Sequence, residues 1–343
     1  GSDDDGRILT TPVVFGNQIY AIDAEALVTA FNANTGELIW KFDPRIDGIE
    51  DDGFGGGLAF EAGHLFVTTG FGHVVALNII TGNELWRQDI GIPVRAAPVV
   101  AGGRVFVITY DNQLWSLSIE DGSIQWTNSG ISETAGLLGA AVPAVDGETV
   151  IVPYSSGELI ALRVENGRTV WSDLLGTQGL GTGGLAALND INGSPVIDRG
   201  VAYAISHGGR LVAIEVRSGS RIWEKDIAGL NTPWIAGDYL FIVTVDGDVV
   251  CLSKDNGRVR WVRSLPRFVD LDSRDEPIFW NGPLLLSDRL IVLNSIGDAV
   301  AISPYTGSLL GRIELPSEVR VPPIVANGIL YILSDDGYLI ALR

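Results

Sequence analysis

One cysteine, Cys251, three histidines and no methionine occur in 343 residues. A single cysteine excludes an internal disulfide. In its setting among apolar strand residues it reads as a small buried side chain. His64, His73 and His207 stand in or beside predicted hairpin turns, without His-Glu-x-x-His or comparable spacing, so they make no metal motif. The chain also lacks a Gly-x-Ser-x-Gly element and a phosphate loop. Basic residues are scarce. With 23 Lys and Arg against 42 Asp and Glu, the formal charge is −19, which repels a phosphate backbone and excludes nucleic acid as a partner. No apolar run reaches the length of a bilayer-spanning helix, because Gly, Asp or Asn interrupts every strand pair, as in residues 239–252. No signal peptide is present. Gly1-Ser2 reads as a cloning scar on a trimmed mature domain. Residues 1–8, with Asp3-Asp4-Asp5, are expected to form an acidic mobile N-terminus ahead of one folded body over 9–343.

What is present is a repeat. Residues 76–86 read Ala-Leu-Asn-Ile-Ile-Thr-Gly-Asn-Glu-Leu-Trp, and the same positions recur at 30–40, 116–126, 161–171, 213–223 and 251–261. In each, an apolar pair ends one strand, a polar turn follows with glycine supplying a positive φ, and the next strand carries tryptophan. Six of the nine Trp fall at this position: Trp40, Trp86, Trp126, Trp171, Trp223 and Trp261. A seventh copy, 301–311, keeps the Thr306-Gly307 turn but has Gly311 in place of Trp.

The turn glycines recur at steps of 38 to 52 residues. Such a period, with four apolar strands in each unit, predicts propeller blades. An indole of roughly 150–250 Å² at a fixed place in each blade can fill the gap between neighbouring twisted sheets. At about 25 cal/mol per Å², its burial contributes at most roughly 4–6 kcal/mol. An eighth unit begins at Pro323 and reaches Arg343 without a Thr-Gly turn or Trp. The expectation is therefore an all-β, eight-bladed β-propeller whose last blade lacks its outer strand, unless Arg7 and Ile8 provide a partial pairing.

The pattern Ala-x-x-x-x-Thr-Gly-x-x-x-Trp resembles the tryptophan-docking repeat of the pyrroloquinoline-quinone-type β-propellers, and it covers nearly the whole chain. Within that superfamily, Asp52-Gly-Phe-Gly-Gly-Gly-Leu58, Asn231-Thr-Pro-Trp-Ile-Ala-Gly237 and Ser303-Pro-Tyr-Thr-Gly307 resemble the BamB family. That family is the lipoprotein subunit of the outer-membrane β-barrel assembly machinery. The resemblance implies a non-catalytic scaffold on the periplasmic face of the outer membrane, lipid-anchored in its native form and without a cofactor. It implies binding to periplasmic domains of the barrel-forming subunit, with unfolded outer-membrane proteins as a second class of partner.

Function is expected in the connections between blades, which vary freely on a rigid frame. Residues 44–57 carry Asp47, Glu50, Asp51 and Asp52 without the alternating ligand spacing of a calcium loop. Residues 263–280 mix three Arg with four acids, which reads as self-paired surface charge. The adjacent connections 131–142 and 172–193 are the candidate site, because Leu137-Leu138 and the 185–188 run leave apolar residues at expected loop positions. They either fold back on the core or meet another protein. The resemblance implies the second reading. Family positions in a Leu-x-Leu-Arg-Gly segment and an Asp-x-Asp segment correspond to Ala135, Leu137, Leu138, Gly139, Asp190 and Asn192, of which Leu137, Gly139 and Asp190 match. Asp190 is expected at the rim, facing a cation or backbone N–H groups.

Two rivals stand beside the scaffold. Quinoprotein dehydrogenases share the repeat but use calcium, an aspartate base, a stacking Trp and often adjacent cysteines. Here no cysteine pair occurs, and Trp115 and Trp234 read as the only indoles on inner strands. A ligand-binding propeller would use the central channel, with Asp111, Ser155, Ser206 and Ser295 at polar strand ends able to hold waters.

Overall fold

A computed structural model describes residues 10–45, 55–94, 96–132, 141–176, 190–270 and 272–342. The described residues form eight consecutive antiparallel sheets and no helix, the blades of an eight-bladed β-propeller. Blades 1 to 8 span 13–42, 56–89, 99–129, 144–174, 196–225, 234–264, 280–314 and 324–342. The first seven have four strands in sequence order, and the eighth has three, ending in Leu339–Leu342. Arg7 and Ile8 lie outside the described residues, as does the whole of 1–9. The chain divides into two compact units. One comprises Gly1–Ser132, Val164–Gly167 and Ile324–Arg343; the other comprises Glu133–Arg163 and Arg168–Pro323.

In blades 2 to 7 the second and third strands are mostly buried and the fourth alternates or is exposed. In blade 3, Arg104–Ile108 and Gln113–Ser118 are largely interior, whereas Ile124–Ser129 alternates exposed and half-buried positions. The buried strands are the continuous apolar runs of the sequence, as expected of strands packed on both faces. First strands begin just after a proline in six blades, at Val13, Val99, Ala144, Val196, Trp234 and Ile324. Blade 7 departs from this: Pro283 lies inside Trp280–Leu286, at an irregularity in register between Asn281 and Leu284. That also corrects the count of inner-strand indoles: Trp280 opens a first strand, as Trp234 does, and Trp115 lies on the third strand of blade 3.

The docking indoles act as the repeat implies. Each Trp Nε1 donates to a backbone carbonyl in the turn of the next blade: Trp40 to Ile79, Trp86 to Ile119, Trp126 to Val164, Trp171 to Val216, Trp223 to Lys254 and Trp261 to Pro304, at 2.7–3.3 Å. The ring lies over the turn glycine. A Cβ on Gly82, Gly122, Gly167, Gly219, Gly257 or Gly307 would come within 2.5–2.8 Å of an indole carbon. Glycine is therefore required twice at each site, once for φ values of +66 to +73° and once to admit the ring.

Across the strands, each Trp sits opposite a small residue, namely Ala30, Ala76, Ser116, Ala161, Ala213 or Cys251, and a register shift follows that residue. On the second strand of five blades a further ring completes the row. Tyr20, Phe66, Phe106, Tyr203 and Phe241 meet their Trp at 5.7–6.0 Å with tilts of 40–48°. Blade 4 uses Ile151 in that row instead.

Two positions break the pattern. Nothing lies within 4 Å of the Cβ that Gly311 would carry, and all of Leu309–Glu314 is exposed. Blade 8 has no fourth strand among the described residues, hence no Thr-Gly turn, and no indole covers Gly36 on blade 1. Blade 8 nonetheless packs on blade 1 within the first unit. Ile329 and Tyr331 cluster with Ile19, Val14 and Phe31, and Asn327 Nδ2 donates to Gly16 O at 3.0 Å.

Trp171 is the most enclosed docking ring, 9% exposed. Trp171→Ala is expected to cost about 3–5 kcal/mol in denaturant melts, as a large-to-small core change. Gly311→Trp, which restores the repeat, should add less than about 0.5 kcal/mol by the same measurement, because an exposed position makes little difference to stability.

Candidate functional site

The connections start from fixed points. In the second unit, Leu175 N donates to Gly157 O at 2.8 Å, Leu265 N to Gly247 O at 3.1 Å and Leu315 N to Gly297 O at 2.7 Å, tying each exit from a fourth strand to the inner hairpin of its own blade. The starts of first strands are linked laterally. Val142 N donates to Ser194 Oγ and Ser194 N to Thr232 Oγ1, each at 3.0 Å. Asn231 Nδ2 donates to Trp280 O at 2.9 Å, and Asn281 Nδ2 to Val319 O at 3.3 Å. Side-chain oxygens and amides thus satisfy backbone groups at positions where no ladder partner exists.

Of the residues expected to bind a partner, Leu137, Leu138 and Gly139 lie outside the described residues, and so do 185–188 and the acidic run 47–52. Asp190 is not at a rim. Its residue is 2% exposed, and its carbonyl accepts the His207 N–H at 2.9 Å. The carboxyl therefore belongs to the interior. Asn192, two residues on, is half-buried, and its Oδ1 is enclosed without a donor among the described residues.

Asn192 lines a pocket of about 190 Å³ in the second unit. Leu230 and Asn231 come from the connection into blade 6, Thr244, Val245 and Gly247 from the hairpin of that blade, and Ile278, Phe279, Trp280 and Asn281 from the start of blade 7. The walls are held. Besides its bond to Trp280 O, Asn231 accepts Gly282 N at 3.4 Å through Oδ1; Trp280 Nε1 donates to Pro266 O at 2.8 Å, and Phe279 N to Ser295 Oγ at 3.0 Å. The backbone of Asn231 is pressed by the Asn192–Gly193 connection, where a Cβ on Gly193 would lie 2.4 Å from Asn231 O. Phe279 and Val245 are 58% and 43% exposed. Sequence reasoning missed this site because Asn192, Asn231 and Trp280 come from three different junctions.

Three of the polar strand ends singled out in the sequence bond within the protein. Ser206 Oγ donates to Leu175 O at 2.9 Å, and Ser295 Oγ accepts Phe279 N. In the first unit, Asp111 accepts Thr109 Oγ1 at 2.5 Å and Gln113 Nε2 at 2.6 Å. Burial pushes the Cys251 thiol up to about 11, keeping it protonated and unreactive. Among the described residues, no group of three or more His, Cys, Asp or Glu could hold a metal ion.

Residues 24–263 match the family model described as outer membrane protein assembly factor BamB. The chain belongs to the BamB family. It is 29% identical to the BamB of Yersinia pestis over 284 residues, 81% of this chain and 71% of that one. The crystal structure of BamB from Moraxella catarrhalis superposes with a TM-score of 0.84 at 21% identity, covering 97% of this chain and 96% of that one. Quinohemoprotein alcohol dehydrogenase from Comamonas testosteroni gives a TM-score of 0.70 at 15% identity, covering 95% of this chain and 70% of that one, a likeness of fold alone.

Of the two family segments singled out in the sequence, only the Asp190–Asn192 end lies among the described residues, with Asp190 inside and Asn192 on a pocket. Small-molecule and cofactor sites are typically about 300–1,000 Å³. A volume of about 190 Å³ is below that range and suits one side chain.

His73 is the one buried histidine, 5% exposed, with Nδ1 lacking a partner. Burial holds its pKa below the usual 6.5, against the pull of Asp89 at 4.0 Å and the weaker pull of Glu84, while Arg87 adds to the lowering. The unfolded imidazole therefore binds protons first as pH falls. The contribution of neutral His73 is whole above about 6.5 and declines as pH drops towards the folded-state pKa. Between about pH 7.5 and 5.5 the melting temperature of the parent should fall more steeply than that of His73→Gln. Equal slopes would show that His73 is not desolvated.

Proposed function

We propose that this chain is a non-catalytic scaffold that assists β-barrel protein assembly at the periplasmic face of the outer membrane, lipid-anchored in its native form, by binding the barrel-forming subunit. The match of residues 24–263 to the BamB family carries this reading. Support comes from the build of the chain. Six indole-on-glycine docks and five cross-strand aromatic pairs make a stiff frame, and the connections tied to it can present side chains at constant spacing. The strongly acidic composition suits a partner with basic surface.

The contact is assigned to the connection holding Leu137, Leu138 and Gly139, where apolar residues remain after the strands have used theirs. The arginine and second aspartate of the family segments are Leu138 and Asn192 here, so the contact rests on an apolar anchor more than on charge. Asp190 supports it from within, by its place in the neighbouring connection.

Capture of the barrel-forming subunit's periplasmic domains on immobilised protein tests the reading. Leu137→Asp is expected to abolish capture with an unchanged melting temperature. Asp190→Ala, at an interior site, should lower the melting temperature by several degrees. Capture by Leu137→Asp at the parent's level would remove the assignment. In a separate measurement, calorimetric titration with pyrroloquinoline quinone and calcium should give no saturable heat, and a stoichiometric isotherm would overturn the non-catalytic reading.

A further inference from the structure

The junction of blades 8 and 1, within the first unit, carries the parts of a seventh indole dock without its ring. In blade 8, Tyr331 lies opposite Ala341, the register in which Tyr20 meets Ala30, Phe66 meets Ala76 and Phe241 meets Cys251. Blade 1 offers the turn. Gly36 has a φ of +73°, like the six covered glycines, and nothing lies within 4 Å of the Cβ it would carry. Ala33 O stands three residues before Gly36, as Ile79 O stands before Gly82, but it receives no indole N–H among the described residues. The surroundings mark the seat as unfilled. The small residues opposite the six indoles are fully buried, whereas Ala341 is exposed. Among the described residues, no strand pairs with the other edge of Leu339–Leu342. Tyr20 and Tyr203 each donate a hydroxyl to the carbonyl that their Trp uses, Ile79 O at 3.0 Å and Lys254 O at 3.3 Å, while Tyr331 Oη is enclosed without a partner.

We propose that this edge takes a tryptophan-bearing strand of a partner polypeptide, which completes blade 8 by β-augmentation. The six docks within the molecule define the guest. It runs antiparallel to Leu339–Leu342, with its indole opposite Ala341, over Gly36 and donating to Ala33 O, as Trp86 stands opposite Ala76, over Gly122 and donates to Ile119 O. Main-chain pairing satisfies the open edge, and the ring supplies apolar burial with one N–H donor. Neither this chain nor a second copy has a spare indole to offer. Six lie on glycine turns, Trp115, Trp234 and Trp280 belong to other strands, and residues 1–9 include no aromatic residue. Charge narrows the guest further. Glu37 beside the turn and Asp336 ahead of Leu339–Leu342 are exposed, which favours basic residues next to the tryptophan. The site is independent of the contact assigned to Leu137.

The fourth strand of blade 6 has this chemistry, as Arg-Val-Arg-Trp-Val-Arg-Ser over residues 258–264. A labelled peptide of that sequence, and one with Ala in place of Trp, are titrated with the intact chain by fluorescence anisotropy. The parent is expected to bind the Trp peptide about ten-fold tighter than the Ala peptide, equivalent to about 1.4 kcal/mol. Gly36→Asn introduces a residue that tolerates positive φ and places a side chain in the seat, so it should erase the preference. Gly103→Asn alters a glycine of the same φ, also with nothing within 4 Å, on blade 3, and should keep the preference. Equal binding of the two peptides by the parent, a preference that survives Gly36→Asn, or its loss in Gly103→Asn each overturns the assignment. No binding at millimolar peptide would show the edge closed to outside strands and overturn it equally. Self-association of the parent that Gly36→Asn abolishes would give the edge to a second copy and remove the partner strand.

Discussion

Everything else in the structure depends on the seating of a flat indole on a glycine turn. The ring needs three concessions from its surroundings: no Cβ beneath it, a carbonyl for its N–H, and a small residue across the strand. Gly219, Val216 O and Ala161 make them for Trp171, and equivalent residues make them for the other five rings. Because the N–H is bonded and the ring is packed, neither its polar nor its apolar part is left unsatisfied. Aromatic residues twenty positions earlier, such as Phe66 before Trp86 and Phe241 before Trp261, then fix the tilt of the ring from the second strand. The same row explains Cys251: it is a small residue opposite Trp261, and its burial makes its thiol inert.

A frame built this way carries its connections as rigid attachments. The exits at Leu175, Leu265 and Leu315 are pinned to hairpin glycines, and the starts of first strands are bonded through Ser194, Thr232 and Asn231. Ser206 and Ser295 spend hydroxyl groups on such bonds as well, to Leu175 O and from Phe279 N. What is left unpaired is therefore informative. Asn192 Oδ1 is enclosed without a donor among the described residues, whereas the side chains of Asn231 and Asn281 bond to backbone groups.

A family of shared fold can separate into enzymes and scaffolds only through such details. The likeness to quinohemoprotein alcohol dehydrogenase shows how far the docking repeat alone can be shared. Membership of the BamB family rests on the match over 24–263.

The repeat, the count of eight blades and the docking role of six tryptophans were all determined by the sequence alone, because each rests on local spacing: a polar residue and glycine in a turn, with the glycine four residues before an indole, returning at a blade's length. The twenty-residue aromatic offset was equally legible, though only the packing revealed its meaning. Asp190 and Trp280 were decided by tertiary structure. A carboxylate in a polar connection looks exposed from its neighbours in sequence, but Asp190 is enclosed. Trp280 closes a charged stretch in sequence, yet it opens a strand in space and shares a pocket with Asn192, 88 positions away in the same numbering. Period and turn chemistry are properties of neighbouring residues, whereas burial and convergence depend on which distant segments the closed sheets bring side by side.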